Sequence, residues 1–118
     1  MKRQSTFYRT RGGNCPVERF LDSLPDMHAR KVVWVLRLVE NLERVPEHYL
    51  KRLVGTQDLW EVRVRVGGMN YRILAFFDGQ GHLILTGGFA KKQRKTPSRE
   101  INVAETRRRD YLQRRGNL

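Results

Sequence analysis

The chain has 118 residues, a length typical of a single domain, and we expect one domain over residues 1–118. Hydrophobic residues make up 39% of it, enough for a modest core, so the composition excludes wholesale disorder. It carries 24 lysines and arginines against 12 aspartates and glutamates, a net charge of +12. Such an excess predicts a polyanionic partner, above all nucleic acid, or an acidic protein, although basic charge can also serve solubility alone.

The number of cysteines and the lack of long apolar segments indicate the cellular compartment of the protein. Cys15 is the single cysteine of the sequence, so no internal disulfide can form, which is typical of a reducing compartment. No apolar signal segment follows Met1–Gln4, and no apolar run approaches membrane-spanning length. We therefore expect a cytoplasmic protein that does not associate with membranes.

The first half of the chain predicts an edge strand and two helices. Ser5–Thr10 is short and rich in residues that favour strands. A helix then begins at Pro16, and its apolar stripe consists of Val17, Phe20, Leu21 and Leu24. A second helix begins at Pro25 and ends at Pro46, and its stripe consists of Ala29, Val32, Val33, Leu36, Val39 and Leu42. The tight turn between them predicts an antiparallel helical hairpin.

From Leu59 onward the apolar period changes from 3.6 residues to two. Leu59–Val66 alternates cleanly, Gly67-Gly68 forms a two-residue hairpin turn, and Asn70–Phe77 is the returning strand. A second turn leads into His82–Gly88. Three successive strands predict an antiparallel meander, which the helical hairpin can cover on one face.

A cationic loop, Lys91–Lys95, follows the strands. Ser98–Arg115 then predicts a basic helix, which can pack through Ile101, Ala104, Tyr111 and Leu112. The predicted fold class is thus α+β: an N-terminal helical hairpin packed on a small antiparallel meander, with a C-terminal basic helix.

Strand register brings several of the cations together. If Gly67-Gly68 is the whole loop, Arg63 faces Arg72 and Arg65 lies beside Asn70. If Asp78 lies opposite Gly81 in the next turn, Arg72 faces Gly87, which leaves an open floor. Two opposed guanidinium groups repel each other unless a carboxylate bridges them or an anion binds there.

The predicted patch on this face contains Arg63, Arg65, Arg72, Phe89 and Lys91. Arginine binds phosphate through bidentate hydrogen bonds, and an aromatic ring can stack a base, so the patch predicts a site for single-stranded RNA. The alternative is a solvated sheet face, with a salt bridge from Glu61 and with Phe89 packed into the core.

The order of these segments resembles the RelE/ParE toxin superfamily and looks most like its HigB-like, phage-derived branch. The resemblance extends from about Val17 to Tyr111, and its specific parts are Leu59–Arg65, Tyr71–Leu74 and Gly88–Pro97. It implies a RelE-like fold and a toxin of a type II toxin–antitoxin system. Such toxins are endoribonucleases that cleave mRNA on the ribosome and inhibit translation. A cognate antitoxin, often a helix-turn-helix protein, holds them inactive.

In related toxins, basic residues on the central strands and in the following loop contact the scissile phosphate. The matching positions here are Arg63, Arg65, Arg72, Lys91, Lys92, Arg94 and Lys95. Some relatives carry lysine where Glu61 stands and a tyrosine after the basic loop, where this chain has Thr96-Pro97. These departures leave the general acid and base unassigned.

RNA cleavage by the 2′-OH gathers negative charge on phosphoryl oxygens, which fixed cations can stabilise without a metal. Arg72 is the first candidate for this role, with help from Arg63 and Lys91. Glu61 either moves the proton or only holds the arginines in place. We expect no cofactor and no metal site.

The remaining candidates are weaker. Arg107, Arg108 and Arg109 either bind ribosomal RNA or an acidic antitoxin, or form a solvated helix face. The tryptophans Trp34 and Trp60 are expected to anchor the core rather than to stack bases. The three histidines, His28, His48 and His82, lack metal-ligand spacing.

Two functions compete with the mRNA endonuclease. A ParE-like inhibitor of DNA gyrase shares the fold but performs no RNA chemistry, and the cationic strand residues favour the nuclease over it. A non-catalytic RNA-binding module would use the same cations and cut nothing.

Overall fold

The computed structural model describes residues 3–116, which form a five-stranded sheet and three helices. The elements in chain order are β1 (Gln4–Phe7), α1 (Pro16–Asp22), α2 (Asp26–Asn41), β2 (Leu50–Arg52), β3 (Trp60–Val66), β4 (Met69–Phe77), β5 (His82–Ala90) and α3 (Ser98–Gly116). The predicted α+β class is confirmed. Within this part of the chain, no helix is both long and apolar enough to cross a membrane.

The sheet has the strand order β1-β5-β4-β3-β2. The three predicted strands β3, β4 and β5 form its antiparallel centre. At one edge β1 runs parallel to β5, and it ends at Phe7 rather than at the predicted Thr10. At the other edge lies β2, which the sequence did not predict because three residues are too few for alternation to show.

The helices α1 and α2 cover one face of the sheet. The core beneath them includes Val17, Val32, Val35, Leu36, Val39, Val62, Val64, Ile73, Leu83 and Leu85. Val35, which the predicted stripe left out, is buried, whereas Val33 of that stripe is exposed. The prediction that Trp34 anchors the core is wrong: it is 48% exposed, with its ring edge against Tyr49. Trp60 is half-buried against this core.

The second helix is shorter than predicted. It ends at Asn41 rather than at Pro46, because the backbone of Leu42 is already extended, with a ψ of 132°. Near this end of the helix, the backbone N–H of Arg3 donates a hydrogen bond to the carbonyl of Glu40 over 2.9 Å. Because the helix ends at Asn41, the residues after it can turn back and lead into β2 at the edge of the sheet.

The opposite face of the sheet is covered in part by α3. A second core cluster there contains Tyr8, Leu59, Leu74, Phe76, Ile84 and Ala104. The ring of Phe76 meets that of Tyr111 edge to face, with centroids 5.5 Å apart. Because α3 covers only one end of this face, the other end stays open above β3 and β4.

The predicted β3–β4 register is confirmed. Arg63 lies opposite Arg72, and Arg65 opposite Asn70. Gly67 and Gly68 both have positive φ values, 55° and 76°, as a two-residue hairpin loop requires. The pattern of alternation and the glycine pair were sufficient for this result.

The predicted β4–β5 register is wrong. Arg72 lies opposite Phe89 rather than Gly87, which pairs with Leu74. The predicted residues nevertheless remain on one face, since the displacement is an even number of residues and side chains alternate with period two.

Two local features cause this displacement. The carboxylate of Asp78 accepts hydrogen bonds from the backbone N–H groups of Gln80 (2.7 Å) and His82 (3.1 Å), which makes a wider turn. A β-bulge between Leu74 and Ala75 then shifts the pairing by one further residue. Neither feature is visible in the alternation of apolar residues.

Candidate phosphate-binding site

The open end of the sheet's second face carries a group of charged side chains. Glu61 and Arg63 come from β3, and Arg72 comes from β4. Lys51 on β2 pairs with Glu61 and therefore points to the same face. Lys91 follows β5, and its backbone N–H donates to the carbonyl of Asn70 over 2.7 Å, so the pairing continues beyond the last strand.

The carboxylate of Glu61 lies at the centre of this group. One oxygen, Oε1, is 3.5 Å from Nε of Arg63 and 3.4 Å from Nε of Arg72. The other oxygen, Oε2, accepts a hydrogen bond from the hydroxyl of Thr96 over 2.9 Å. The Glu61 side chain is only 3% exposed. It thus bridges the two opposed guanidinium groups, as one of the two interpretations of the sequence required.

Arg72 is a buried cation. Its side chain is 9% exposed, and Nη1 donates to its neighbour's carbonyl, that of Tyr71, over 3.0 Å. Its Nε is within ion-pair distance of Glu61 but forms no hydrogen bond. Burial, followed by the charge of Arg63, lowers the pKa of Arg72, although Glu61 acts in the opposite direction. Arg72 is therefore held by Glu61 and by a backbone carbonyl, and it still lines an open cleft.

Burial and neighbouring charges also act on the pKa of Lys91. Burial, followed by the charges of Arg72, Arg63 and Lys51, lowers the pKa of its ammonium group, while Glu61 opposes the shift. Lys51 is a member of the site that the sequence did not identify. Only the position of Lys51 on β2 could have revealed it, and β2 was too short to predict from the sequence.

Three of these side chains, Arg63, Arg72 and Lys91, border a cleft, which we call the phosphate cleft. It has a volume of about 410 Å³ and is lined by Arg63, Asn70, Arg72, Lys91, Lys92, Gln93 and Arg94. Arg65 is exposed at its margin and borders a neighbouring depression with His48 and Tyr49. Lys95 is exposed in the loop but does not line the cleft.

Phe89 does not belong to the phosphate cleft, although it lies directly opposite Arg72. Its side chain packs partly against the second core cluster and lines a separate groove between α1, β5 and α3. The predicted open floor at Gly87 is also absent. A Cβ there would lie 2.6 Å from Nη1 of Arg107, so this guanidinium group fills the space above the glycine.

The three arginines in the middle of α3 contact the protein itself. Arg107 donates to the carbonyl of Thr86 over 2.9 Å. Arg108 lies 5.9 Å above the ring of Phe76, and its Nε is buried. Arg109 is exposed and donates to the side chain of Gln57 over 3.3 Å. Arg107 and Arg108 are thus partly covered by the protein, whereas Arg109 remains on the solvated face of the helix.

The charges of the phosphate cleft suit a phosphate group. Within residues 3–116, Glu61 is the acidic residue in ion-pair contact with these cations. Lys51, Arg63, Arg72 and Lys91 exceed its single negative charge. Guanidinium and ammonium groups fixed around one cleft can bind phosphoryl oxygens and stabilise charge that develops on them. Across the described part of the chain, histidine, cysteine and carboxylate side chains do not gather in threes as a metal site would need.

Comparisons with known proteins agree with this architecture. Residues 19–109 match the family described as phage-derived protein Gp49-like. The search of curated proteins gave no match. Among solved structures, the fold is similar to a chain of the archaeal RelE-RelB complex from Pyrococcus horikoshii OT3, with a TM-score of 0.52 and 23% identity. The match covers 80% of this chain and 100% of that chain. The resemblance seen in the sequence is therefore confirmed, and the chain belongs to the phage-derived Gp49-like family and has a RelE-like fold.

Proposed function

We propose that this protein is the toxin of a type II toxin–antitoxin system and cleaves mRNA on the ribosome, which inhibits translation. The observation that carries the proposal is the phosphate cleft, in which four cations surround one buried carboxylate. The cleft is open, so a single strand of RNA can enter it. Membership of the Gp49-like family and the RelE-like fold support the same assignment.

In the proposed reaction, a ribose 2′-OH attacks the adjacent phosphorus and releases its proton to solvent water. A bond forms between the 2′-oxygen and phosphorus, and the bond from phosphorus to the 5′-oxygen breaks, leaving a cyclic phosphate and a 5′-hydroxyl. Arg72 and Arg63 bind the phosphoryl oxygens, whose negative charge increases in the transition state. Because both guanidinium groups are held by Glu61 before substrate arrives, little reorganisation is needed.

Glu61 and Lys91 are the two side chains of this site that we consider for proton transfer. Both oxygens of Glu61 are occupied, by the two arginines and by Thr96, so we assign it a positioning role. Lys91 borders the cleft with a lowered pKa, which brings its ammonium group closer to the range of a general acid. We propose that Lys91 donates a proton to the leaving 5′-oxygen. The ribosome then contributes by fixing the geometry of the mRNA.

The loop and the last helix are proposed to hold the RNA and the ribosome. Lys92 and Arg94 line the cleft, and Lys95 extends the charged surface beyond it. Arg109 is the exposed member of its triplet on α3 and is the one we assign to ribosomal RNA. These contacts supply affinity that depends on salt rather than on sequence.

A cognate antitoxin is the proposed protein partner. The structurally similar chain belongs to an archaeal RelE-RelB complex, which supports a protein partner of this kind here. The family resemblance implies a helix-turn-helix protein, and the net charge of +12 on the toxin favours an acidic contact surface on that partner.

The test uses purified ribosomes programmed with a defined mRNA. We expect the wild-type protein to cut the message within the decoding site, and we expect co-expressed antitoxin to relieve growth arrest. Intact mRNA together with inhibited DNA supercoiling would instead indicate a gyrase inhibitor. RNA that is bound but never cut, even on ribosomes, would indicate a non-catalytic RNA-binding module.

A further inference from the structure

A second cavity lies beside the phosphate cleft, along one edge of β5. We call it the β5 groove; it has a volume of about 520 Å³ and runs between α1 and α3. It exists because β1 ends at Phe7, opposite Leu85, so the rest of β5 has no strand on that side. Gly87 and Gly88 form part of its lining, with the guanidinium group of Arg107 close above Gly87 and the ring of Phe20 close to Gly88.

The groove carries its own positive charge. Arg19 of α1 and Arg99 and Arg107 of α3 line it, against Glu100 as the acidic lining residue. Arg99 is 3.9 Å from the carboxylate of Glu100, whereas Arg19 makes no ion pair with any residue between 3 and 116. Asn14 adds an amide at the rim. Arginine, asparagine and glutamate are the side chains that read the hydrogen-bonding edges of bases.

Phe89 joins this groove to the phosphate cleft. It lies directly opposite Arg72, and directly opposed residues have Cα atoms about 5 Å apart. The guanidinium group of Arg72 lines the phosphate cleft, whereas the ring of Phe89 lines the β5 groove. A nucleotide attached to a phosphate at Arg72 is thus close enough to place its base against Phe89, on which it can stack.

We propose that the β5 groove binds the base next to the scissile phosphate and sets the base preference of cleavage. The inference rests on the proposed function, because it takes the substrate to be single-stranded RNA bound at Arg72. A peptide strand from a protein partner fits less well, since the unpaired part of β5 offers only a few residues for strand addition.

The experiment measures binding and cleavage separately. Oligonucleotides of 2′-O-methyl RNA, which lack the attacking hydroxyl, are prepared with each of the four bases beside the scissile phosphate, and their affinities are compared. The variants are Arg19→Gln, which removes a groove cation, and Val103→Trp, which fills the groove from its exposed wall. The matched control is Arg44→Gln, because Arg44 is equally exposed and lies outside the groove. In parallel, the cut sites in ordinary mRNA on ribosomes are mapped.

We expect the wild type to prefer one base by about tenfold. Arg19→Gln and Val103→Trp should reduce that preference at least about threefold and redistribute the cut sites, whereas Arg44→Gln should lower all four affinities equally. Equal wild-type affinities, or an unchanged preference in both groove variants, would overturn the inference. So would a Val103→Trp variant that loses antitoxin binding but keeps the RNA preference. A wild type that binds with base preference yet cuts nothing would reject the nuclease and leave the groove as a base-binding site.

Discussion

The arginines of the phosphate cleft and those of α3 differ in what surrounds them. In the cleft, Arg63 and Arg72 share one carboxylate, that of Glu61, and positive charge is left in excess. On α3, Arg114 pairs with Asp110 over 2.8 Å and Arg115 with Asp78 over 3.5 Å.

The carbonyl groups and aromatic rings around α3 complete this difference. Arg107 binds the carbonyl of Thr86, and Arg114 binds that of Arg9 over 2.6 Å. The ring of Tyr8 lies 5.4 Å beneath the guanidinium group of Arg114. Two arginine-rich regions of similar sequence character thus differ in their surroundings: in one the cations exceed the carboxylate they share, and in the other arginines attach a helix to the sheet.

The largest effect should follow from Arg72→Ala. This change removes the buried cation at the centre of the cleft, so we expect cleavage of ribosome-bound mRNA to slow by about 10²- to 10³-fold. The matched control is Arg65→Ala, which removes an exposed arginine at the margin and should cost less than about tenfold. Equal losses in the two variants, measured as cleavage rates at one ionic strength, would show that the cleft acts through net charge alone.

Glu61→Gln tests the positioning role. The amide keeps a hydrogen-bond acceptor for Thr96 but leaves two guanidinium groups facing each other without a counter-charge. We expect a loss of about 1–3 kcal/mol in the free energy of unfolding and a cleavage rate about tenfold lower. The pH dependence of the remaining cleavage should keep its shape.

Glu61→Gln has a different expected outcome if Glu61 is the general base. If Glu61 takes the proton from the 2′-OH, the acidic limb of the pH–rate profile should disappear and the rate should fall by about 10²-fold or more. Thr96→Val supplies the control, since it removes the hydroxyl bound to Oε2 and leaves the carboxylate in place.

Acid should weaken the attachment of α3 when it protonates Asp78, the partner of Arg115. Burial favours the neutral form of Asp78, but hydrogen bonds from Gln80 and His82 and the charge of Arg115 together lower its pKa. A carboxylate with a lowered pKa in the folded protein stabilises it above the ordinary value of 3.8, and this contribution is lost as pH falls through the lowered pKa. Melting temperatures recorded from neutral pH to below 3.8 should fall less steeply for Asp78→Asn than for the wild type.

The smallest expected effect, and the one most specific to each of the two regions, is on the salt dependence of RNA binding. Arg94→Gln removes a cation that lines the phosphate cleft, so the slope of log affinity for RNA against log salt should decrease by about 0.7. Arg108→Gln removes an arginine that packs above Phe76, and it should leave that slope unchanged while it lowers the melting temperature. A decrease of the same size in both variants would mean that α3 also faces the RNA.

Much of the phosphate cleft could be predicted because it depends on local rules. Alternation of apolar residues and a glycine pair with positive φ determined the β3–β4 register, and this alone brought Arg63 opposite Arg72. The opposed arginines in turn required either a bridging carboxylate or a bound anion, and Glu61 was the carboxylate available on that face.

Other features did not show in the pattern of apolar residues. The side chain of Asp78 widened one turn and a bulge shifted the pairing with β5, so Phe89 lies opposite Arg72 and faces the β5 groove instead of the phosphate cleft. Lys51 entered the site only because a three-residue strand joined the sheet edge. In addition, the sequence of a run of arginines does not show whether their side chains face solvent or bind backbone carbonyls.

The sequence by itself determined the fold class, the central hairpin and the cations that meet across it, because these follow from side-chain periodicity and turn chemistry within a short stretch of chain. The tertiary structure alone decided which arginines remain available to a ligand. Availability depends on whether packing brings a carboxylate, a carbonyl or a ring to each guanidinium group, and those partners come from residues far away in the chain, such as Thr86 for Arg107 and Asp78 for Arg115.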